Sequence, residues 1–207
     1  MLDTLIALTD TGEFEDSGGF RFRSIETTSA GMALELFLVP GDGGDEQHWR
    51  VECFGVRDFL LRGEFAGGLR VVSEHPVLLP FTEQVTELHF YSASPNPVAT
   101  VGALLERHRE LVADWIRFER FLNVLPKGLS QLLAASSGQL ASGPVSLLEA
   151  YSRVLTEHGV RSSMLPGRPP KFWDGEKWVV SDIPLRALIL ESSYVVAERF
   201  DAQKVVV

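Results

Sequence analysis

The first ninety-four residues alternate between apolar and polar positions with the two-residue period of β-strands. Phe20 and Phe22 fall on one side of an extended segment, and the same alternation recurs at 49–53. A denser apolar run at 32–39 ends in a loop rich in glycine and aspartate. The pattern predicts an antiparallel sheet of four or five strands over residues 1–94.

The middle of the chain changes to the spacing of a helix. Asn96 is a suitable N-cap and Pro97 suits the first helical turn. Apolar residues then recur every three or four positions, which predicts one long amphipathic helix over 97–122. A second helix is predicted from Pro144 to about His158. The region 95–159 is therefore expected to be helical and to pack on the sheet.

The last region, residues 160–207, starts with a proline-containing segment that is predicted to be a linker. A hairpin and two strand-like runs, at 185–190 and 194–200, follow it. The sequence leaves open whether these C-terminal strands join the first sheet or form a second one. The order of strands, helices and strands predicts an α+β fold, with the three regions in one compact unit.

Two tryptophans mark the predicted C-terminal hairpin. If residues 174–177 form a four-residue loop, Trp173 and Trp178 face each other, whereas a turn made by Asp174 and Gly175 alone pairs Trp173 with Glu176. The short Trp-Asp-Gly-x-x-Trp text resembles hairpins of many bacterial proteins, and it implies no function. Exposed tryptophans can bind ligands, so Trp173 and Trp178 are candidate binding residues, although structural packing is the favoured interpretation.

Composition excludes several classes of protein. The 207 residues include 28 acidic and 19 basic side chains, a net charge of −9, which argues against binding to nucleic acid. A single cysteine excludes an internal disulfide framework, and no long uncharged apolar run suggests a membrane span. We expect a cytoplasmic protein with no cofactor.

The negative charge is uneven, since residues 1–100 contain 16 acidic residues against six arginines. A solvated sheet face is one explanation. The functional explanation is an acidic surface that attracts a basic protein partner. This favours a non-catalytic interaction protein of the adaptor, chaperone-like or immunity type. Its candidate binding residues are Asp42, Asp45, Glu46, Glu52 and Glu64.

Motifs for nucleotide binding, serine hydrolysis and zinc-dependent hydrolysis are absent from the sequence. The alternative hypothesis is an enzyme or metal-binding protein in which His89 and His108 converge with Glu87 or Glu106. A hydrogen-bonded core histidine is the competing explanation for His108. The favoured interpretation includes no metal ligand.

A third hypothesis is a subunit of a homo-oligomer. The predicted 97–122 helix carries a second apolar edge, which includes Ile116 and Phe121. Such an edge could pack against another copy of the chain.

Overall fold

The computed structural model describes residues 1–9, 18–28, 31–39, 44–173, 176–180 and 183–205. Its helices and antiparallel sheets confirm the α+β class. Two compact units are formed: unit 1 combines residues 1–78 with 182–207, and unit 2 contains residues 79–181. These boundaries differ from the positions 94 and 159 drawn from local pattern, because the sheets pair segments that are distant in sequence.

Within the described residues the chain forms fourteen β-strands and five α-helices. The strands are β1 (Gly19–Thr28), β2 (Gly31–Val39), β3 (Gln47–Phe54), β4 (Asp58–Leu60), β5 (Phe65–Ala66), β6 (Arg70–Val72), β7 (Val85–Phe90), β8 (Gly138–Pro144), β9 (Ser162–Met164), β10 (Phe172–Trp173), β11 (Trp178–Val179), β12 (Arg186–Leu190), β13 (Ser193–Ala197) and β14 (Arg199–Lys204). The α-helices are α1 (Leu2–Thr9), α2 (Leu79–Thr82), α3 (Pro97–Val112), α4 (Pro126–Leu133) and α5 (Val145–Glu157). Across these described segments, no helix has both the length and the apolar character needed to cross a membrane.

The larger sheet of unit 1 has five antiparallel strands in the order β14–β3–β2–β1–β5. Its inner face is apolar, and it includes the fully buried Leu34, Leu36 and Val51. Leu5 of α1, a helix that the pattern did not predict, packs into the same core. Burying such side chains stabilises the sheet by roughly 1.5–3 kcal/mol each.

The C-terminal strands of unit 1 answer the question that the sequence left open. β12 and β13 form a hairpin that lies between β4 and β6 in a four-stranded sheet, in the order β4–β13–β12–β6. The last strand, β14, instead pairs with β3 from Trp49 to Phe54. The C-terminal strands therefore complete both sheets of unit 1.

Unit 2 is built on a three-stranded antiparallel sheet in the order β8–β7–β9. The side chains of β7 alternate: Thr86, Leu88 and Phe90 are buried, whereas Glu87 and His89 on the other face are partly exposed. The buried face belongs to a core that includes residues of α3, α4 and α5. The segment after Val160, predicted to be a linker, forms β9 and continues along β7.

Helix α3 begins as predicted and ends earlier than predicted. Asn96 Oδ1 accepts a hydrogen bond from the Ala99 N–H at 3.2 Å, which caps the first turn. The helix stops at Val112, because Ala113 has a positive φ of 49° and the chain turns into a 3-10 helix at Phe118–Arg120. The apolar periodicity continues past this point because the returning chain is also buried.

This turn changes the position of the apolar residues proposed for self-association. Ile116 and Phe121 lie beyond the end of α3, and they are 3% and 9% exposed within the core of unit 2. They form no edge on the surface of the helix. Self-association of the chain stays a prediction without these two residues as its contact.

Candidate functional site

Unit 1 carries the net charge of the protein. It contains 18 acidic and nine basic residues, whereas unit 2 contains ten of each. The net charge of −9 therefore belongs to unit 1 alone.

The acidic residues predicted to bind a partner lie on separate elements of unit 1. Asp42 lies outside the described residues. Asp45 and Glu46 are exposed in the segment that leads into β3, Glu52 is on β3 itself, and Glu64 is exposed between β4 and β5. The arrangement of the strands determines which of these residues lie close together.

Glu46 and Glu64 both lie near β1 of the five-stranded sheet, since the Glu46 side chain pairs with Arg21 and the Glu64 carbonyl oxygen accepts a hydrogen bond from the Phe22 N–H at 2.9 Å. Arg21 Nη2 donates to both carboxylate oxygens of Glu46, at 3.0 and 2.9 Å. Arg21 also lies directly opposite Phe65 in the β1–β5 register, next to Glu64. We call Asp45, Glu46, Glu64 and Phe65, with Arg21 between them, the edge patch.

The edge patch combines negative charge with an exposed aromatic ring. Asp45 and Glu64 make no ion pair with another described residue, so their carboxylates face solvent. The Phe65 side chain is 46% exposed. The Arg21–Glu46 pair is itself exposed, and surface pairs of this kind contribute only about 0–1 kcal/mol to stability.

Glu52 belongs to a different cluster, on the outer face of the same sheet. Arg50 approaches Glu52 at 3.6 Å, donates to Glu26 at 3.0 Å and also donates to Glu35. His48 Nε2 donates to the second oxygen of Glu35 at 2.5 Å. The hydrogen bonds with Glu26 and then Glu35 raise the pKa of the Arg50 guanidinium. Each carboxylate of this cluster thus has a basic partner, although the three carboxylates outnumber Arg50 and His48.

The sequence contains one signal for this cluster, which is Glu35. Glu35 is in the middle of the apolar run at 32–39, and it is only 7% exposed. A buried carboxylate requires hydrogen-bonding partners, because desolvation of an unpaired charge is costly. The partners, Arg50 and His48, could be identified only from the register between β2 and β3.

The histidines and glutamates of the enzyme hypothesis separate into different environments. Glu87 and His89 are neighbours on one face of β7, and His89 Nε2 donates to Glu87 Oε2 at 3.1 Å. Glu106 is exposed on α3. Within the described ranges, no group of three histidine, cysteine, aspartate or glutamate side chains is arranged to hold a metal ion.

His108 is 2% exposed, and both of its ring nitrogens have protein partners. Nε2 is 2.7 Å from the carbonyl oxygen of Ile116, and Nδ1 is 2.8 Å from the hydroxyl oxygen of Tyr151. Because a carbonyl only accepts, Nε2 carries the proton and Nδ1 accepts from Tyr151. Burial lowers the pKa of His108 and raises the pKa of Tyr151. His108 is therefore a hydrogen-bonded core histidine.

Cys53 is also a structural residue. It is 1% exposed in the core of unit 1. Burial, and to a smaller extent the charge of Glu52, raise the pKa of its thiol to about 12. A thiol with such a pKa is not a nucleophile near neutral pH.

The two hairpin tryptophans pair as the four-residue loop predicts. Trp173 lies opposite Trp178 in the β10–β11 register. Their ring centroids are 6.0 Å apart in an edge-to-face arrangement at 67°. Both rings remain largely exposed, at 54% and 64%.

Unit 2 also contains a cleft of about 410 Å³ that the sequence did not predict. One wall is the open face of β7 and β8, with Glu87 and Ser142. The opposite wall is the chain from Leu165 to Lys171, and Trp178 closes one side. Its size falls in the range of about 300–1,000 Å³ that is typical of small-molecule sites.

Comparisons of the chain with protein-family models, with curated proteins and with solved structures found no match.

Proposed function

We propose that the protein is a non-catalytic, cytoplasmic interaction protein of the adaptor, chaperone-like or immunity type, and that unit 1 binds a basic protein partner. The edge patch is the observation that supports this most directly. It adds solvent-facing carboxylates at Asp45 and Glu64 to the unit that carries the net charge of −9.

The two parts of the patch have different roles in this proposal. Negative charge on unit 1 attracts a basic partner over a distance and raises the association rate at low ionic strength. The exposed ring of Phe65 provides apolar area at the point of contact, and aromatic residues often dominate the affinity of an interface.

The ion pairs of unit 1 determine which carboxylates are suitable for a test. Glu46 and Glu52 already interact with arginines, so their removal would also disturb the surface of the sheet. Asp45 and Glu64 have no such partner among the described residues. Their replacement by amides removes two charges and leaves the fold intact.

The experiment compares Asp45→Asn/Glu64→Gln with a control that removes the same charge from unit 2, Glu106→Gln/Glu157→Gln. The partner is captured on the wild-type protein, identified, purified and then bound to each variant at low and moderate salt. We expect the unit 1 variant to lower the association rate constant about threefold or more at low salt, and the control to lower it much less.

The salt dependence gives a second readout. The difference between the variants should shrink at moderate salt, because the Debye length is then about 10 Å or less and interactions between charges farther apart are screened. Equal association rates for both double variants at low salt, or a partner without excess positive charge, would contradict the proposal.

A further inference from the structure

The cleft in unit 2 has a wall whose backbone is fixed by hydrogen bonds. The N–H of Val85 donates to the carbonyl oxygen of Arg168 at 2.8 Å, and the N–H of Arg168 donates back to Val85 at 2.9 Å. Thr86 Oγ1 donates to the carbonyl oxygen of Leu165 at 2.5 Å. A wall that is already ordered loses little conformational entropy when a ligand binds.

Proline and glycine hold the rest of this wall in place. Pro166, Pro169 and Pro170 each restrict φ, and all three line the cleft. A Cβ atom on Gly167 would lie 2.4 Å from Oε1 and 3.0 Å from Cβ of Gln84, so a larger residue here would require the Gln84 side chain to move. The segment predicted to be a linker is therefore a shaped surface.

The charges along the cleft favour an anion. Arg168 and Lys171 both line it, both are exposed, and neither forms an ion pair with another described residue. The carboxylate in the lining, Glu87, already accepts a hydrogen bond from His89. The cleft is thus lined by two cations without an ion pair among the described residues and by one carboxylate that is already paired with His89.

The side formed by Trp178 favours a flat apolar group. Its indole ring is 64% exposed and is held by edge-to-face contact with Trp173. An exposed indole face that is fixed in this way stacks on planar rings and can donate a hydrogen bond through its N–H. Ser142 adds an exposed hydroxyl on the opposite wall.

We propose that this cleft binds a small ligand that combines an oxyanion, phosphate or carboxylate, with a planar ring. The oxyanion pairs with Arg168 and Lys171, and the ring stacks on Trp178. The site lies in unit 2 and does not involve the edge patch, so it stands or fails separately from the proposed function.

The test is a titration of the ¹⁵N-labelled full chain, followed at the indole N–H signals of its four tryptophans. The Trp178 signal is assigned with Trp178→Phe. The probes are phenyl phosphate and benzoate, which carry a ring and an anion, inorganic phosphate, which lacks the ring, and benzyl alcohol, which lacks the charge.

We expect at least one of the two aryl anions to shift the Trp178 signal with saturation and to bind more tightly than inorganic phosphate or benzyl alcohol. Arg168→Gln/Lys171→Gln should weaken that binding at least about tenfold, because charge-assisted hydrogen bonds are the strong ones. Arg153→Gln/Lys127→Gln, two exposed cations outside the cleft, should leave it unchanged.

The anion that binds identifies the ligand class: phenyl phosphate alone indicates a phosphate ester, and benzoate alone a carboxylate. The proposal is overturned if neither aryl anion gives a saturable shift at Trp178. It is also overturned if the cleft variant binds like the wild type, or if benzyl alcohol or inorganic phosphate binds as tightly as the aryl anions. Unchanged signals of the other tryptophans verify that the variant is folded.

Discussion

His108 lies in the core of unit 2, where it connects three parts of the chain. Its ring extends from α3 to the carbonyl oxygen of Ile116, in the turn that follows the helix, and to Tyr151 on α5. Phe118 and Tyr151 also pack against the imidazole, with ring centroids 5.4 and 6.3 Å away. The imidazole therefore fixes the path of the chain after α3, and it has no free nitrogen for a substrate.

Replacement of His108 tests this structural role. His108→Gln should lower the free energy of unfolding by about 1–3 kcal/mol, because the buried carbonyl of Ile116 loses a well-placed donor. Tyr151→Phe removes only the hydroxyl and should cost less. Denaturant unfolding followed by the helical circular dichroism signal measures both, and an unchanged midpoint for His108→Gln would contradict the assignment.

The same residue gives unit 2 a pH dependence with a defined sign. Burial lowers the pKa of folded His108, against the opposing effects of the Ile116 hydrogen bond and then of Glu119, so the unfolded chain binds the proton more tightly. Stability is then complete above the unfolded pKa of about 6.5 and is lost as pH falls below it. The cost of His108→Gln should therefore shrink below about pH 6.5. Burial and then Arg70 also lower the pKa of His75, which lies in unit 1. His75→Gln is therefore the companion variant, which tests the same pH dependence in unit 1.

Single residues also show where a sequence is informative. For His108 the helical pattern left a hydrogen-bonded core histidine as one of two explanations, and the strand alternation at 49–53 is consistent with the burial of Cys53. The ion pairs of Arg21 with Glu46 and of Arg50 with Glu26 and Glu35 could not be predicted, because each joins segments that only the strand register brings together.

Among the elements, α3 has a start that its sequence encodes and an end that it does not. Asn96 and Pro97 define the first turn by local chemistry alone. The end at Val112 arises because the following residues bury Ile116 and Phe118 in the same core. Helical spacing thus continues through a segment that is not part of the helix, and no local signal distinguishes the two cases.

The cap of α3 can be tested directly. Asn96→Ala removes the acceptor for the Ala99 N–H and should destabilise unit 2 by about 1 kcal/mol. Asn123→Ala, at an exposed position after the 3-10 helix, is the matched control and should change stability by less than about 0.5 kcal/mol. Faster amide exchange confined to the first turn of α3 would support the local origin of the effect.

At the scale of the whole molecule, unit 2 is a continuous segment inserted into unit 1. The 3-10 helix at Pro76–Leu78 lies just before the inserted segment, and it contacts β12, the first strand of unit 1 after that segment. Local pattern predicted most strands but not this arrangement, because the partners of β12, β13 and β14 lie more than a hundred residues earlier.

This organisation predicts that the units can be separated. Residues 79–181 expressed alone should fold, and a chain that joins 1–78 to 182–207 through a short glycine–serine linker should fold as well. Two-dimensional ¹⁵N spectra of the fragments should reproduce the signals of core residues in the full chain. A fragment 79–181 with the narrow spectrum of an unfolded chain would show that its core is not sufficient.

The discontinuity of unit 1 also sets an order of events on the ribosome. All of residues 79–181 are synthesised before β12, β13 and β14 exist, so unit 2 can complete its core while β3, β4 and β6 still lack their final neighbours. Unpaired strand edges are prone to aggregation during this interval. We expect the charged outer face of the large sheet, where Glu26, Glu35 and Glu52 surround Arg50, to oppose association between nascent copies until β14 is made.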